Sequence, residues 1–223
     1  MARFGDNTPC KRLYVSTQHY DFVADVFAKL VGMTQEDRYR FSLREIRTHE
    51  VILDTETAAC DVGVIAIKHS DLGIMDRYIS ARGLSFTPVL SVKPHVYLRR
   101  EHPLAGKAVI HAHELEKLPC VVYEQGDHGG SLFSEELGPT DSRRQVEVSD
   151  RASLMNVLLT TDSYMIGTGI MPSSLNQGRI VSVPFENEDH YVIGYLLRTD
   201  RTVSSLTQTF LDMLHESISG DPA

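Results

Sequence analysis

Basic residues, cysteines and long apolar runs are all scarce in this sequence, and each shortage removes a class of function. Lys+Arg number 22 against Asp+Glu 30, a formal charge of −8. The basic residues form no larger cluster than pairs such as Lys11-Arg12, Arg99-Arg100 and Arg143-Arg144. A chain that neutralises phosphates along DNA carries at least one basic face, so this polypeptide is not expected to grip nucleic acid itself. The three cysteines, Cys10, Cys60 and Cys120, are odd in number and far apart. They suggest neither a disulfide framework nor a Cys-x-x-Cys metal site. Met1 to Asp6 lacks the apolar core of a signal peptide, and no apolar run reaches the roughly 18 residues of a membrane span. A reduced, cytoplasmic setting without membrane contact is the expectation. No internal repeat or low-complexity tract is present.

What the sequence does contain is enough apolar material, 42% of its 223 residues, for one large domain or two small ones. Residues 1–11 read as a tail or linker. From Leu13 strand and helix patterns alternate. Leu13–Ser16 is a strand and Asp21–Val31 a helix. Tyr39–Ile46 is a strand, and His49–Ala59 a helix with Thr48 as N-cap. Asp61–Ile67 is a strand apolar enough to be buried on both faces. This βαβαβ start implies an open, mostly parallel sheet. An amphipathic stretch at Asp71–Ala81 is followed by strands at Phe86–Val92 and His95–Arg99, a helix at Glu114–Leu118 and a strand at Cys120–Tyr123. A glycine-rich loop at Glu124–Gly130 leads to a helix at Ser131–Leu137 and a strand at Gln145–Val148. Asp150 then caps a helix at Arg151–Thr160. Strands at Tyr164–Gly167, Arg179–Phe185 and Tyr191–Arg198, a short helix from Pro172 and a closing helix at Ser204–Ile218 complete the order. The expected architecture is α/β, with two Rossmann-like lobes of mixed, mostly parallel sheets. Two crossover strands join them and a ligand cleft lies between. Residues 12–92 plus 192–218 would form one lobe and 93–191 the other.

The stretch Ser16-Thr17-Gln18-His19 stands where a buried strand hands over to a helix. Free backbone N–H groups and the positive helix end at such a junction suit an anionic ligand. Ser16 or Thr17 could equally serve only as a helix cap. Ligands of open α/β sheets bind beyond the carboxyl ends of the strands. That rule gathers the Ser16–His19 junction, Thr48 and the strand end at Ile67 on one side of the cleft. The loops at Glu124–Gly130 and Ser149–Arg151 face them.

Several segments, in order, resemble the effector-binding domain of LysR-type bacterial transcriptional regulators, whose two-lobed fold is similar to type 2 periplasmic binding proteins. Thr48-His-Glu-Val followed by Cys60-Asp-Val-Gly-Val-Ile looks like the family's "T-x-E-V … D-x-G-I". His102-Pro-Leu-Ala105 looks like its "HPLA", and Leu115-Glu-Lys-Leu-Pro-Cys-Val-Val like "L-x-x-x-P-x-I". Ile166 to Pro172 looks like "G-x-G-I-x-x-L-P", and Phe210-Leu-Asp-Met-Leu like the closing "F-[IL]-D-x-L" helix. The likeness runs from about Leu13 to Leu214. It lacks the family's winged helix-turn-helix and linker helix, and Lys68–Gly83 is longer than the family's usual connection. The resemblance implies an effector held by Ser16, Thr17, Gln18 and Thr48, with Ser149 from the second lobe. His19 and Arg47 would tune ligand choice, and Ile67 and Glu124 border the cleft. It also implies a small, anionic metabolite as partner, side-by-side homodimers, and DNA reached only through a domain outside this chain. No cofactor, metal or enzymatic activity is expected.

Other chemistry finds weaker support. His111-x-His113 has no third metal ligand at a recognisable spacing. Gly126-Asp-His-Gly-Gly lacks the Lys-Ser/Thr of a P-loop, and there is no Gly-x-Ser-x-Gly elbow. A solute-binding protein of a transporter is the rival reading. An enzyme on the same scaffold, such as a dehydratase, is a third, and no acid/base pair stands out for it.

Overall fold

The computed structural model describes residues 10–126, 130–138, 142–172 and 176–219. Its elements are β1 (Lys11–Thr17), α1 (Asp21–Met33), β2 (Tyr39–Glu45), α2 (Thr48–Glu56), β3 (Val62–Lys68), α3 (Leu72–Ser80), β4 (Leu84–Val92) and β5 (His95–Arg99). They continue with α4 (Ala112–Leu115), β6 (Cys120–Tyr123), β7 (Gln145–Val148), α5 (Arg151–Thr160), β8 (Met165–Gly167), β9 (Ile180–Pro184), β10 (Tyr191–Arg198) and α6 (Ser205–Ser219). The architecture is mixed α/β. A five-stranded sheet runs β2-β1-β3-β10-β4, a three-stranded sheet β8-β5-β9, and β6 pairs β7. A parallel bridge between Cys120 and Tyr164 ties the last two together. Pairing is parallel among β2, β1 and β3 and between β6 and β7; β10 and β5 pair antiparallel with their neighbours.

β3 shows why this sheet forms. Every residue from Val62 to Ile67 is buried, and the period of two sends them into different cores. Val62, Val64 and Ala66 join a cluster with Phe22, Val26, Phe210 and Leu214 of α1 and α6. Ile65 and Ile67 join Val51, Ile52, Met75 and Ile79 of α2 and α3. The first cluster continues through Val96, Leu98, Cys120 and Val122 of the smaller sheets. Tyr97, Val121 and Tyr123 point the other way, onto Leu154 and Leu158 of α5. β4 lies at a sheet edge, where Pro88 removes no ladder bond from a central strand.

Three expectations change. Ser131–Leu137 is not a helix: only a 3-10 turn at Ser131–Phe133 forms. Beyond it the Glu135 N–H is donated to Gln125 Oε1 at 3.2 Å, and Glu136 Oε1 accepts the Tyr123 N–H at 2.9 Å. A side chain outside the segment thus takes the Glu135 N–H that a helix would need. The helix before Pro119 is a single turn, Ala112–Leu115. The N-cap of α2 is Arg47, whose N–H is bonded by the Glu50 carboxylate at 3.3 Å, and Thr48 is the first helical residue. The short helix expected from Pro172 falls at residues 173–175, outside the described residues, as do residues 127–129 of the glycine-rich loop.

Candidate functional site at the seam between the sheets

The β1–α1 junction is built from buried polar side chains. The Ser16 hydroxyl donates to Asp54 Oδ2 at 2.6 Å, and Arg44 pairs with the same oxygen at 2.5 Å. Gln18 is fully buried, and both the nitrogen and the oxygen of its amide are bonded. Its Nε2 donates to the Thr48 hydroxyl, while its Oε1 accepts the Tyr20 hydroxyl at 2.5 Å and the Ala66 N–H at 2.7 Å. One amide therefore ties β1, α2 and β3 together. Thr17 is also fully buried, and its Oγ1 has no hydrogen-bond partner among the described residues. Neither Ser16 nor Thr17 caps α1: the N-cap is Tyr20, without a side-chain bond. Burial, reinforced by the Glu135 charge, holds the Tyr20 phenol well above its usual range.

His19 carries the junction across to the smaller sheets. Its backbone N–H donates to Glu135 Oε2 at 3.1 Å, and its Nδ1 lies 3.0 Å from the same oxygen. Its ring stacks on Tyr123, centroids 4.0 Å apart and planes 13° apart. Glu135 also accepts from Gln125 Nε2 at 3.3 Å. A carboxylate of the protein itself thus occupies the N–H group at which a ligand anion was expected. Arg47 makes another bridge, donating from Nε to the Glu124 carbonyl at 3.1 Å and from a terminal nitrogen to the Glu124 carboxylate at 2.8 Å. Gly126, at φ +63, lies so close that a Cβ there would meet the Arg47 guanidinium at 2.5 Å.

The last bridge is Arg151, at the first turn of α5. Its guanidinium lies 2.9 Å from Asp21 Oδ1 and 3.1 Å from Glu45 Oε1. The second contact is an ion pair off the N–H direction, since Glu45 Oε1 is buried without a hydrogen bond. Burial raises the Glu45 carboxyl and outweighs the lowering by Arg151. Burial also opposes the Arg151 charge, but Glu45 and Asp21 overcome it and hold Arg151 above its ordinary value. Asp150 caps α5 by accepting the Ser153 N–H at 2.9 Å, so that helix end is already satisfied. Asp21, Glu45, Asp150, Arg151, Ala152 and Met155 line a cavity of about 430 Å³. Tyr123, Gln125 and Glu136 border a second, of about 380 Å³. There burial pushes the Glu136 carboxyl up to about 8, against the Tyr123 N–H bond that lowers it.

Of the eight residues expected to hold a ligand, Gln18 and Thr48 touch each other and His19 reaches the smaller sheets. Glu124 pairs with Arg47, and Ser149 is exposed beside the Asp150 cap. Ser16 turns to Asp54, and Ile67 packs in the core opposite Val192. Asp21, Glu45, Tyr123 and Glu135 were not anticipated, and Arg151 only as the end of the facing loop Ser149–Arg151. Asp21 and Arg151 had a usable signal, a charge in the first turn of a helix that begins at the cleft. Glu135 had none, because its partner is 116 residues away. Among the described residues no group of three or more His, Cys, Asp or Glu is placed to hold a metal. His111 stacks on His113 and pairs with Glu186. Among the same residues no helix is long and apolar enough to cross a membrane.

Comparison with known proteins gives these observations a family. The LysR substrate binding domain matches residues 42–219. No curated protein sequence matches. Among solved structures, the reduced form of the OxyR regulatory domain from Pseudomonas aeruginosa superposes with a TM-score of 0.63 at 14% identity, covering 92% of this chain and 98% of that one. The effector binding domain of QuiR in complex with shikimate gives 0.58 at 13% identity, over 93% and 97%. HinK, a LysR family transcriptional regulator from Pseudomonas aeruginosa, gives 0.61 at 16% identity, over 94% of this chain and 71% of its own. At such identities the superpositions speak for the fold, a periplasmic-binding-protein-like one, and the sequence match speaks for the family. The chain belongs to the LysR substrate-binding domain family and is an effector-sensing regulatory domain.

Proposed function

We propose that this domain senses a small metabolite at the seam between two lobes, residues 12–92 plus 192–218 and residues 93–191, with residues 1–11 as a tail. The observation that carries the reading is the set of three side-chain bridges across that seam, His19–Glu135, Arg47–Glu124 and Asp21–Arg151–Glu45, beside a cavity of about 430 Å³. Cavities of this size accept small metabolites. Polar bridges are two-state elements: they are made when the lobes are closed and exchanged for water or ligand when they part. A metabolite shifts that balance only through different affinities for the two arrangements. In the cell the shift would pass through a homodimer to a DNA-binding domain in the same cytoplasmic regulator, changing how it holds DNA. In this reading Thr17, the register partner of Glu45, and His19, two residues before Asp21, adjoin the lining, with Glu124 and Ser149 at the rim. Ser16, Gln18, Thr48 and Ile67 hold the junction in shape. The test is thermal unfolding of the purified domain against a broad metabolite panel. At least one compound should raise the melting temperature, and Thr17→Val should remove that rise. A flat panel with an intact fold contradicts the sensing role.

A further inference from the structure

We infer that the strap of residues 130–138, between β6 and β7, is a built-in competitor of the effector: its Glu135 carboxylate holds the β1–α1 junction in cis, and an effector carboxylate takes that place by releasing the strap. The inference rests on the sensing role proposed above and adds how that site is kept closed. From residue 131 to residue 137 the backbone forms one 3-10 turn and no strand ladder. Segments so short of regular backbone bonds open at low cost. The chain is extended at Ser134, so Phe133 and Glu135 share one face. Both side chains cross to the five-stranded sheet. The Phe133 ring lies edge-on to His49 of α2 at 5.9 Å and to Tyr78 of α3 at 5.1 Å, while Glu135 meets His19.

The far end of the strap belongs to the smaller sheets. Glu136 Oε1 accepts the Tyr123 N–H, and Gly138 packs so closely on Ile166 of β8 that a Cβ there would meet it at 2.5 Å. The segment is thus tethered on one side of the seam and docked on the other. What it docks on is a main-chain N–H at the handover from strand to helix, a group that faces the ligand side in open α/β sheets. Glu135 accepts that N–H at 3.1 Å and the Gln125 amide at 3.3 Å. A group that replaces it must also bring acceptor oxygens, as a carboxylate does. Glu135 is buried, and two like charges at hydrogen-bond distance repel, so the two carboxylates exclude each other. Release has room, because the cavity of about 380 Å³ lined by Gln125, Ser134 and Glu136 lies on the flank of the strap. A strap docked about nine-tenths of the time weakens the apparent affinity of its competitor about tenfold.

The experiment titrates succinate, with succinamide as its uncharged counterpart, into the whole chain at matched ionic strength, read by calorimetry, thermal unfolding and hydrogen exchange. Succinate should raise the melting temperature with saturation. It should also speed exchange at the Phe133 and Glu135 amides, which are bonded to Gly130 and Gln125 in the docked strap. Succinamide should do neither. Glu135→Ala removes the competing carboxylate and should tighten succinate about tenfold. Phe133→Ala loosens the strap without touching the His19 N–H, and should tighten succinate several-fold as well. A bridge that only holds the fold together predicts no gain from the second substitution, which also decides the matter if Glu135→Ala does not fold. Asp200→Asn, which alters an exposed pair with Arg198, should leave the response unchanged. No succinate binding to the unaltered chain or to Glu135→Ala, an affinity that either folded variant leaves equal or lower, or binding without faster exchange in the strap overturns the inference. If other metabolites still shift the melting temperature in a Thr17-dependent way, the sensing role stands and only the competing strap falls.

Discussion

Replacing Glu135 by alanine tests the seam most sharply, because one carboxylate there serves three donors. It accepts the His19 N–H at 3.1 Å, faces His19 Nδ1 at 3.0 Å and takes a bond from Gln125 at 3.3 Å. The His19 and Glu135 side chains are only 6% and 3% exposed, so water does not screen the pair. Leaving a buried neutral donor unsatisfied costs about 1–3 kcal/mol, and breaking a buried ion pair costs roughly 3–5 kcal/mol. The expected loss is therefore about 3 kcal/mol, between those two ranges. For a chain of this size that lowers the melting temperature by about 6–12 °C. Glu135→Gln keeps an acceptor for the His19 N–H and offers a donor to a neutral Nδ1, so it should retain more than half of the lost stability. Urea unfolding of both variants, with hydrogen exchange at the His19 amide, reads the effect. A loss under about 0.5 kcal/mol for alanine, or equal losses for alanine and glutamine, refutes the assignment.

Thr48→Val removes the acceptor for the buried Gln18 Nε2 and should cost about 1–3 kcal/mol in urea unfolding; a neutral result means that Gln18 finds another partner. Gly194→Ala places a Cβ 2.4 Å from the Thr87 carbonyl oxygen on the neighbouring strand, which cannot rotate away, and should cost roughly 1–3 kcal/mol. Glu136 gives a pH dependence. Its folded-state carboxyl sits at about 8, above the unfolded value near 4.3, so the folded chain binds the extra proton between them. Stability falls as pH rises through that window, by roughly 1–3 kcal/mol after allowance for solvent screening. Comparing urea midpoints at about pH 5 and about pH 9 should show the fall, and Glu136→Gln should flatten it; identical falls in both chains assign the effect elsewhere.

The order of strands and helices was legible because the core periodicity is local. The run Val62–Ile67, the amphipathic face of α1 and the Asp150 cap announce themselves within one turn or one strand. Ser131–Leu137 misled for the opposite reason. Its composition suits a helix, while the bonds of Glu135 and Glu136 to Gln125 and Tyr123 come from a strand and loop that sequence spacing does not reveal. The position of the candidate site was legible from the β1–α1 junction, but its polarity was not. Gln18 and Thr48 have the side chains of ligand donors and spend them on each other. The N–H expected to greet an anion is held by Glu135. The carboxylates of Asp21 and Glu45 meet only when α1 and β2 are brought together with α5.

The most direct test of the central claim is a metabolite-panel melt of the intact chain run beside Thr17→Val and Glu45→Gln. Effector sensing at this seam requires a compound that raises the melting temperature of the unaltered chain and loses most of that effect in both variants. A panel without a single shift, or a shift indifferent to both substitutions, contradicts it.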